Sequence, residues 1–399
     1  MTGSPAELTE VPLPAGPVEF RGALHLERTA AGLRPWRLPA WTAAQFPGDA
    51  VRRVATMPSG VRLAFRTAAT VLELVLHAAP EPPHPGAVEL VLDGVRADRV
   101  PLPAAGGPAV LRFHPGAPDA EREVELWLPQ WTSVELVALR ADAAVHPPRP
   151  TARRRWLHHG SSISQAPEAD SAADVWPWIA AERAGVDLLN LSLAGNAHLD
   201  PFTARTIRDQ PADLISLKIG INVITAASFR RRAFVPAVHG FLDTVREGHP
   251  DTPLLVVSPL LSPPFERTPG PAAYEQTADG PRFAALGDPA DIAGGALTLE
   301  AVRAELAEIT AARAAGDPHL HHLDGLALLG PEDAEGLADL LHPNPAGHRL
   351  IGERFAALVF GPGGPFGDEA RDGDDKGDEG RDGEGQDGDV RDGEGQGAP

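Results

Sequence analysis

Two textures follow one another along the chain. Between about residues 18 and 145, short runs of alternating apolar and polar positions are separated by clusters of Pro and Gly; the runs fall at 18–26, 61–66, 70–76, 88–92, 109–113, 124–128 and 133–139. Period-two alternation points side chains to opposite faces of a strand, and several short strands at even spacing predict an all-β sandwich of the jelly-roll kind. Pro147, Pro148 and Pro150, followed by Arg153 to Arg155, read as a linker. Beyond it strand and helix signals alternate: strands at 156–159, 188–193, 213–219, 253–259 and within 320–329, and helices at 172–184, 229–247, 298–314 and 344–360. Asn344 and Pro345 suit the cap and first position of the last helix. Such alternation predicts a parallel sheet covered on both faces, a three-layer α/β/α domain. The expected organisation is a disordered 1–15, a β sandwich over 16–148, an α/β domain over 152–361 and a disordered tail over 362–399.

Composition narrows the functional classes. With 43% hydrophobic residues in 399, the chain can bury full cores. Its net charge of -20 includes no basic block to neutralise phosphates, so no nucleic-acid partner is expected. Nearly half of that charge sits in the Gly/Asp/Glu/Arg-rich tail, where RDGEGQ occurs at 381–386 and again at 391–396. So few apolar residues remain there that burial cannot offset the entropy of ordering. Zero cysteines exclude disulfides, thiolate metal sites and a cysteine nucleophile. The N-terminus lacks the basic start and apolar run of a signal peptide. No apolar run approaches the roughly 18–20 residues that span a bilayer. The expectation is a cytoplasmic protein with no membrane partner; oligomeric state is not specified by these patterns.

Candidate chemistry collects where predicted strands end, the place where open α/β sheets bind ligands. Residues 156–165 read WLHHGSSISQ and set Gly160, Ser161 and Ser162 after the first strand. Ser192 to Asn196 follow the second strand, Gly220-Ile221-Asn222 the third, and Asp339-Leu340-Leu341-His342 precede the last helix. In this order, on this scaffold, the set resembles the SGNH (GDSL-type) hydrolases, named for their Ser, Gly, Asn and His. The resemblance covers roughly residues 154–360. The β module in front is similar to a two-domain subgroup with an N-terminal jelly-roll-like domain, which includes several carbohydrate esterases.

The resemblance implies a flavodoxin-like sheet and a role for each motif. Ser162 would be the nucleophile, His342 its general base, and Asp339 the group that orients the imidazole. The backbone N–H groups of Ser162 and Gly195 and the side-chain amide of Asn222 would form the oxyanion hole, a device worth about 3–4 kcal/mol per donor in a well-studied hydrolase. Ser161 stands where many members carry Asp, which leaves it as a rival nucleophile or a pocket residue. Some members use no acid partner, and Asp333 and Glu335 lie near Asp339. Asn196 and His198 follow the oxyanion glycine and are expected to line the pocket. The Pro-rich stretch 262–283 is long for a connection. It reads as a lid or a plain surface excursion, with Phe265, Glu266, Arg267 and Tyr274 as candidate contacts.

Other residues invite competing readings. Trp36, Trp41, Trp127 and Trp131 on the sandwich could stack on sugar rings or fill a core or interdomain face. His158 and His159 are adjacent on a strand and so face opposite sides, which argues against a shared metal. No metal is expected at His319, His321 and His322 either, and no cofactor is implied. The resulting expectation is a serine esterase acting through an acyl-enzyme on a short acyl ester, such as an O-acetyl group on a carbohydrate or small metabolite. The alternatives are an acyltransferase using the same site and an inactive carbohydrate-binding protein.

Overall fold

The computed structural model of the chain describes residues 7–79, 86–116, 120–278 and 280–367. Two antiparallel six-stranded sheets form the N-terminal half. One runs β3 (His25–Arg28), β4 (Leu33–Trp36), β11 (Val134–Ala141), β6 (Leu72–Ala78) and β9 (Gly107–Phe113), with β1 (Thr9–Val11) also on β11. The other runs β12 (Val145–His146), β5 (Arg62–Thr67), β10 (Arg122–Trp127), β7 (Ala87–Leu92) and β8 (Val95–Pro101), with β2 (Glu19–Arg21) also on β5. Leu63, Phe65, Leu74, Leu76, Leu90 and Leu126 from both sheets bury one shared core, as the alternation requires.

The C-terminal half has a five-stranded parallel sheet. Its strands are β13 (Arg155–His159), β14 (Asp187–Asn190), β15 (Leu214–Lys218), β16 (Leu254–Val257) and β19 (Leu320–Leu323), in the order β14-β13-β15-β16-β19. Alternate residues bury opposite ways. Trp156, Leu188, Leu214 and Leu255 pack under α3 (Trp176–Ala184) and α8 (Pro345–Phe355). Leu157, Leu189, Ile215 and Leu254 pack under α4 (Pro201–Asp209), α6 (Arg231–Gly248) and α7 (Leu299–Ala314). The crossover from β13 to β14 thus lies on one face and the later crossovers on the other, and the strand order reverses between β13 and β15. A crevice opens at such a switch point, beyond the carboxyl ends of the strands.

Several local features depart from the sequence expectation. Residues 9–11 of the expected disordered N-terminus pair with Leu139 to Ala141 of β11. Phe366, beyond the expected domain end, is 1% exposed and packs with Phe355, Val359 and Phe360. From residue 368 the expected disordered tail lies outside the described residues. The stretch read as a lid contains the hairpin β17 (Ala272–Thr277) and β18 (Gly280–Ala285). The sandwich half also contains a helix, α1 (Asp49–Thr56), too short for its period to stand out in sequence. Val51, Val54 and Ala55 of α1 pack with Trp36, Leu38 and Met57 against Leu193, Ala194 and Phe202 of the other half.

Arg37 fixes this interdomain contact. Its side chain is wholly buried and has carbonyl partners on both sides. Nε donates to Met57 O at 2.7 Å and Nη2 to Val54 O at 2.6 Å. Nη1 donates to Asn190 O at 3.3 Å and to Ser192 O. Val54 and Met57 lie at the carboxyl end of α1, where unpaired carbonyls and the helix dipole favour a cation. Asn190 and Ser192 lie at the carboxyl end of β14. Burial still lowers the Arg37 pKa to about 9. At the opposite end of β14, Arg62 pairs with Asp187 and stacks 4.7 Å from the Trp127 ring, whose other neighbour is Trp178 at 3.9 Å. Trp127 therefore fills the interdomain face, as does Trp36; Trp41 is 41% exposed beneath Arg205.

Two predictions follow from these buried cations. Arg37→Met is expected to lower the unfolding free energy in a denaturant titration by about 3 kcal/mol or more, because each buried carbonyl left unpaired costs about 1–3 kcal/mol. A loss below about 1 kcal/mol would refute the clamp. Lys218, at the end of β15, is 1% exposed, and burial lowers its pKa to about 7. The unfolded value is about 10.4. Between these values the unfolded chain binds more protons, so this group makes stability rise with pH across that window. Lys218→Met should therefore stabilise the protein most at about pH 6, with the gain fading towards about pH 10. Equal gains at both pH values in urea titrations would contradict it.

Candidate active site

The stretch after β13 turns within three residues into a short helix, α2 (Ser162–Gln165). Gly160 permits the turn, because a Cβ there would stand 2.6 Å from Ser164 Oγ and 3.1 Å from His158 Nε2. Ser161 caps the helix, its Oγ accepting from Ile163 N at 3.3 Å. It is 0% exposed, whereas Ser162 on the next step is 8% exposed. The expectation of Ser161 as a pocket residue or rival nucleophile is thereby corrected: its side chain points into the turn.

Ser162 Oγ meets His342 Nε2 at 2.8 Å across 180 positions of sequence. The other imidazole nitrogen, Nδ1, lies 2.8 Å from Asp339 Oδ2, while Asp339 Oδ1 accepts from the backbone N–H groups of Leu341 at 3.0 Å and His342 at 2.7 Å. One carboxylate thus shapes the loop and holds the ring. Burial pushes the Asp339 carboxyl up, but the His342 hydrogen bond and charge and the two N–H donors outweigh this and hold it below the usual carboxylate value. Ala338 N donates to His342 O at 2.8 Å and Ser262 Oγ to Leu340 O at 2.7 Å, bracing a loop in which Leu340 adopts a left-handed φ of 69°. Asp333, the nearby alternative acid, pairs with Arg354 and caps Gly330 N at 3.0 Å.

The loops after β14 and β15 approach from the other side. Gln165 Oε1 accepts from Ala194 N at 2.9 Å, and Asn190 Nδ2 donates to Ser164 O at 2.9 Å, tying the Ser162 turn to the Gly195 loop. From the sandwich half, Ser59 Oγ donates to Gln165 O at 3.2 Å and Met57 Sδ lies 3.4 Å from Gln165 Nε2. Gly195 has φ of 66°, and nothing lies within 4 Å of where its Cβ would stand. Asn222 opens α5 (Ile221–Thr225) and is 5% exposed. Its Oδ1 accepts from Ala197 N at 3.1 Å, so the bond to that loop uses the acceptor of the amide and not its NH2 donor.

The remaining candidates divide. Asn196 Nδ2 donates to Ala194 O at 2.6 Å, and His198 Nε2 to Gly195 O at 3.1 Å, with Ser228 Oγ 2.9 Å from His198 Nδ1. Both side chains brace the Gly195 loop. Phe265 is corrected as a pocket candidate: it is 0% exposed in the core beside Leu299 and Val302. Glu266 pairs with the buried Arg303, and Arg267 with Glu300 at 2.7 Å. Tyr274 is 61% exposed on β17 and reaches the site only through Phe283. Phe283 meets the His342 ring at 5.4 Å, and its N–H donates to Asp339 O at 2.9 Å. Its place at the end of the stretch 262–283 gave no sign of this contact. His158 is buried between Ser216 Oγ at 2.7 Å and Ser164 Oγ at 2.9 Å, with its pKa well below the ordinary value through burial. His159 bonds to Leu191 O at 2.9 Å, and burial lowers its pKa to about 4. Among the described residues no group of three or more His, Asp or Glu side chains could hold a metal ion. Nor, among them, is any helix long and apolar enough to cross a membrane.

Residues 159–350 match the GDSL-like Lipase/Acylhydrolase family, and residues 18–137 match the SsfX3 N-terminal domain. Among solved structures, the salicylyl-acyltransferase SsfX3 from a tetracycline biosynthetic pathway is 29% identical, with a TM-score of 0.72 over 88% of this chain and 96% of that one. A family two carbohydrate esterase from Cellvibrio japonicus is 16% identical, with a TM-score of 0.56 over 88% and 96%. The acetyl xylan esterase Est2A from the rumen bacterium Butyrivibrio proteoclasticus is 13% identical, with a TM-score of 0.55 over the same shares. The last two likenesses speak for the fold alone. Curated protein sequences give no match. Residues 159–350 thus form a GDSL-like lipase/acylhydrolase domain, behind an SsfX3-type N-terminal domain.

Proposed function

We propose that the protein is a serine acylhydrolase that cleaves a short acyl ester of a carbohydrate or small metabolite. The observation that carries this reading is the hydrogen-bonded chain from Ser162 Oγ through His342 to Asp339, with 2.8 Å at each link. A serine hydroxyl is a weak nucleophile until a neighbouring base takes its proton. His342 takes it as Oγ bonds to the ester carbonyl carbon. The same proton then goes to the departing alcohol oxygen as the old C–O bond breaks. Water next gives a proton to His342 and bonds to the acyl carbon, and the acid leaves as that proton returns to Ser162 Oγ. In both steps the carbonyl oxygen gains charge. The N–H groups of Ser162 and Gly195 and the Asn222 amide are the donors proposed to receive it.

A second reading rests on the SsfX3 likeness, since that structure is described as an acyltransferase. An alcohol in place of water at the second step gives transfer with the same residues. Of the four tryptophans that could stack on sugar rings in an inactive carbohydrate-binding protein, Trp36 and Trp127 are buried between the halves and Trp41 is 41% exposed.

Ser162→Ala is expected to abolish hydrolysis of a short-chain aryl ester and labelling by a fluorophosphonate while the circular dichroism spectrum stays native. Ser161→Ala, which removes only a cap, should keep both; the reverse pattern would overturn the assignment. Asn222→Ala should lower kcat by about 100-fold or more, as for other oxyanion donors. Product analysis with a competing alcohol in excess decides the acceptor: free acid as the main product marks a hydrolase, and the new ester marks a transferase.

A further inference from the structure

The alcohol half of an ester has a defined place in this site, granted the acyl-enzyme reading above. His342 Nε2, 2.8 Å from Ser162 Oγ, gives its proton to the departing alcohol oxygen and takes one from the incoming acceptor. That oxygen must come within about 3 Å of Nε2. The carbon skeleton attached to it then runs along whatever flanks the imidazole. The carbonyl oxygen turns instead towards the proposed donors on Gly195 and Asn222, and the acyl chain takes the remaining direction from the reacting carbon.

The flank of the imidazole is aromatic. The Phe283 ring meets it at 5.4 Å and 68°, and Tyr274 meets Phe283 at 5.2 Å and 66°. These two residues are register partners across the hairpin, so they share one face. The neighbouring pair, Glu275 and Arg282, is also a register pair, bonded at 3.4 Å, and so faces the opposite way. A lone exposed tyrosine would carry no meaning. Here the exposed ring ends a ladder that starts at the working imidazole, and the Phe283 N–H bond to Asp339 O ties hairpin and catalytic loop into one body.

We propose that Phe283 and Tyr274 form the alcohol-side subsite and select alcohols whose carbon skeleton is a ring with a flat apolar face. Edge-to-face and stacked contacts reward such a face and give a linear alcohol far less. Aromatic rings and the C–H faces of sugars both offer it.

The test compares esters that share acetate and differ in a primary alcohol: 2-naphthylmethyl acetate, a 6-O-acetyl glucoside and ethyl acetate. Ethyl naphthoate serves as the acyl-side control. Tyr274→Ala, at an exposed position, and Phe283→Ala, checked for native melting, are each expected to lower the kcat/KM preference for a ring alcohol over ethanol at least fivefold, through KM. A loss on either ring ester supports the subsite and tells which ring it takes. An unchanged preference in both variants, or a loss that follows the naphthoyl group instead, overturns it. A separate arm needs no turnover. Binding of 2-naphthylmethanol to the Ser162→Ala protein, read by calorimetry, should weaken at least fivefold with Tyr274→Ala. Should the unaltered protein resist fluorophosphonate and cleave no ester, the acyl-enzyme reading fails. The binding arm then decides the subsite alone, and equal binding in both proteins overturns it.

Discussion

A guanidinium that meets no carboxylate among the described residues sets the terms for this molecule. Enclosing Arg37 removes it from water, and only four carbonyl oxygens in fixed positions compensate. Two belong to the end of α1 and two to the end of β14, so the cation is satisfied only when both halves are folded and docked. That constraint reaches the reacting centre in few steps. Ser192 is three residues from Gly195, and Asn190 also holds the Ser162 turn through Ser164 O. The sandwich is therefore wired to the loops that carry Ser162 and Gly195.

The two sides of the site are built differently. The Ser162 and Gly195 loops are held by buried side-chain amides and by the sandwich. The His342 loop is held by its own aspartate, by Ser262 and by the hairpin edge. Leu340 in its left-handed conformation is tolerated because these bonds over-determine the loop around it. With Ser162 and His342 on separately braced loops, both braces are needed to keep the 2.8 Å contact between them.

Much of this was legible in the sequence because its signals are local. The four post-strand motifs each occupy a few residues with typed chemistry, and strand-helix alternation told which end of the sheet they share. What escaped is what depends on distant partners. Arg37 is one arginine in a turn, with nothing nearby to say that it is buried. The hairpin has Ala272, Ala273, Ala284 and Ala285 where a strand would advertise large apolar residues, so its alternation is muted and Pro and Gly dominate the reading. Helix α4 was a different omission. Asp200 and Pro201 stand at cap and first position, a start signal present in the chain but followed by only nine helical residues. The register of the motif favoured Ser162 over Ser161, and burial now sets them apart, since a one-residue step around a turn exchanges inside for outside.

Tyr274 is the chain's one tyrosine. Its phenol stands in solvent at the end of the ring ladder that leads to His342. Any chemistry specific to phenols, such as nitration or isotope labelling for magnetic resonance, would thus mark a single point, and that point lies on the rim of the site. The protein carries its own reporter at the place where the proposed alcohol-side subsite opens to solvent.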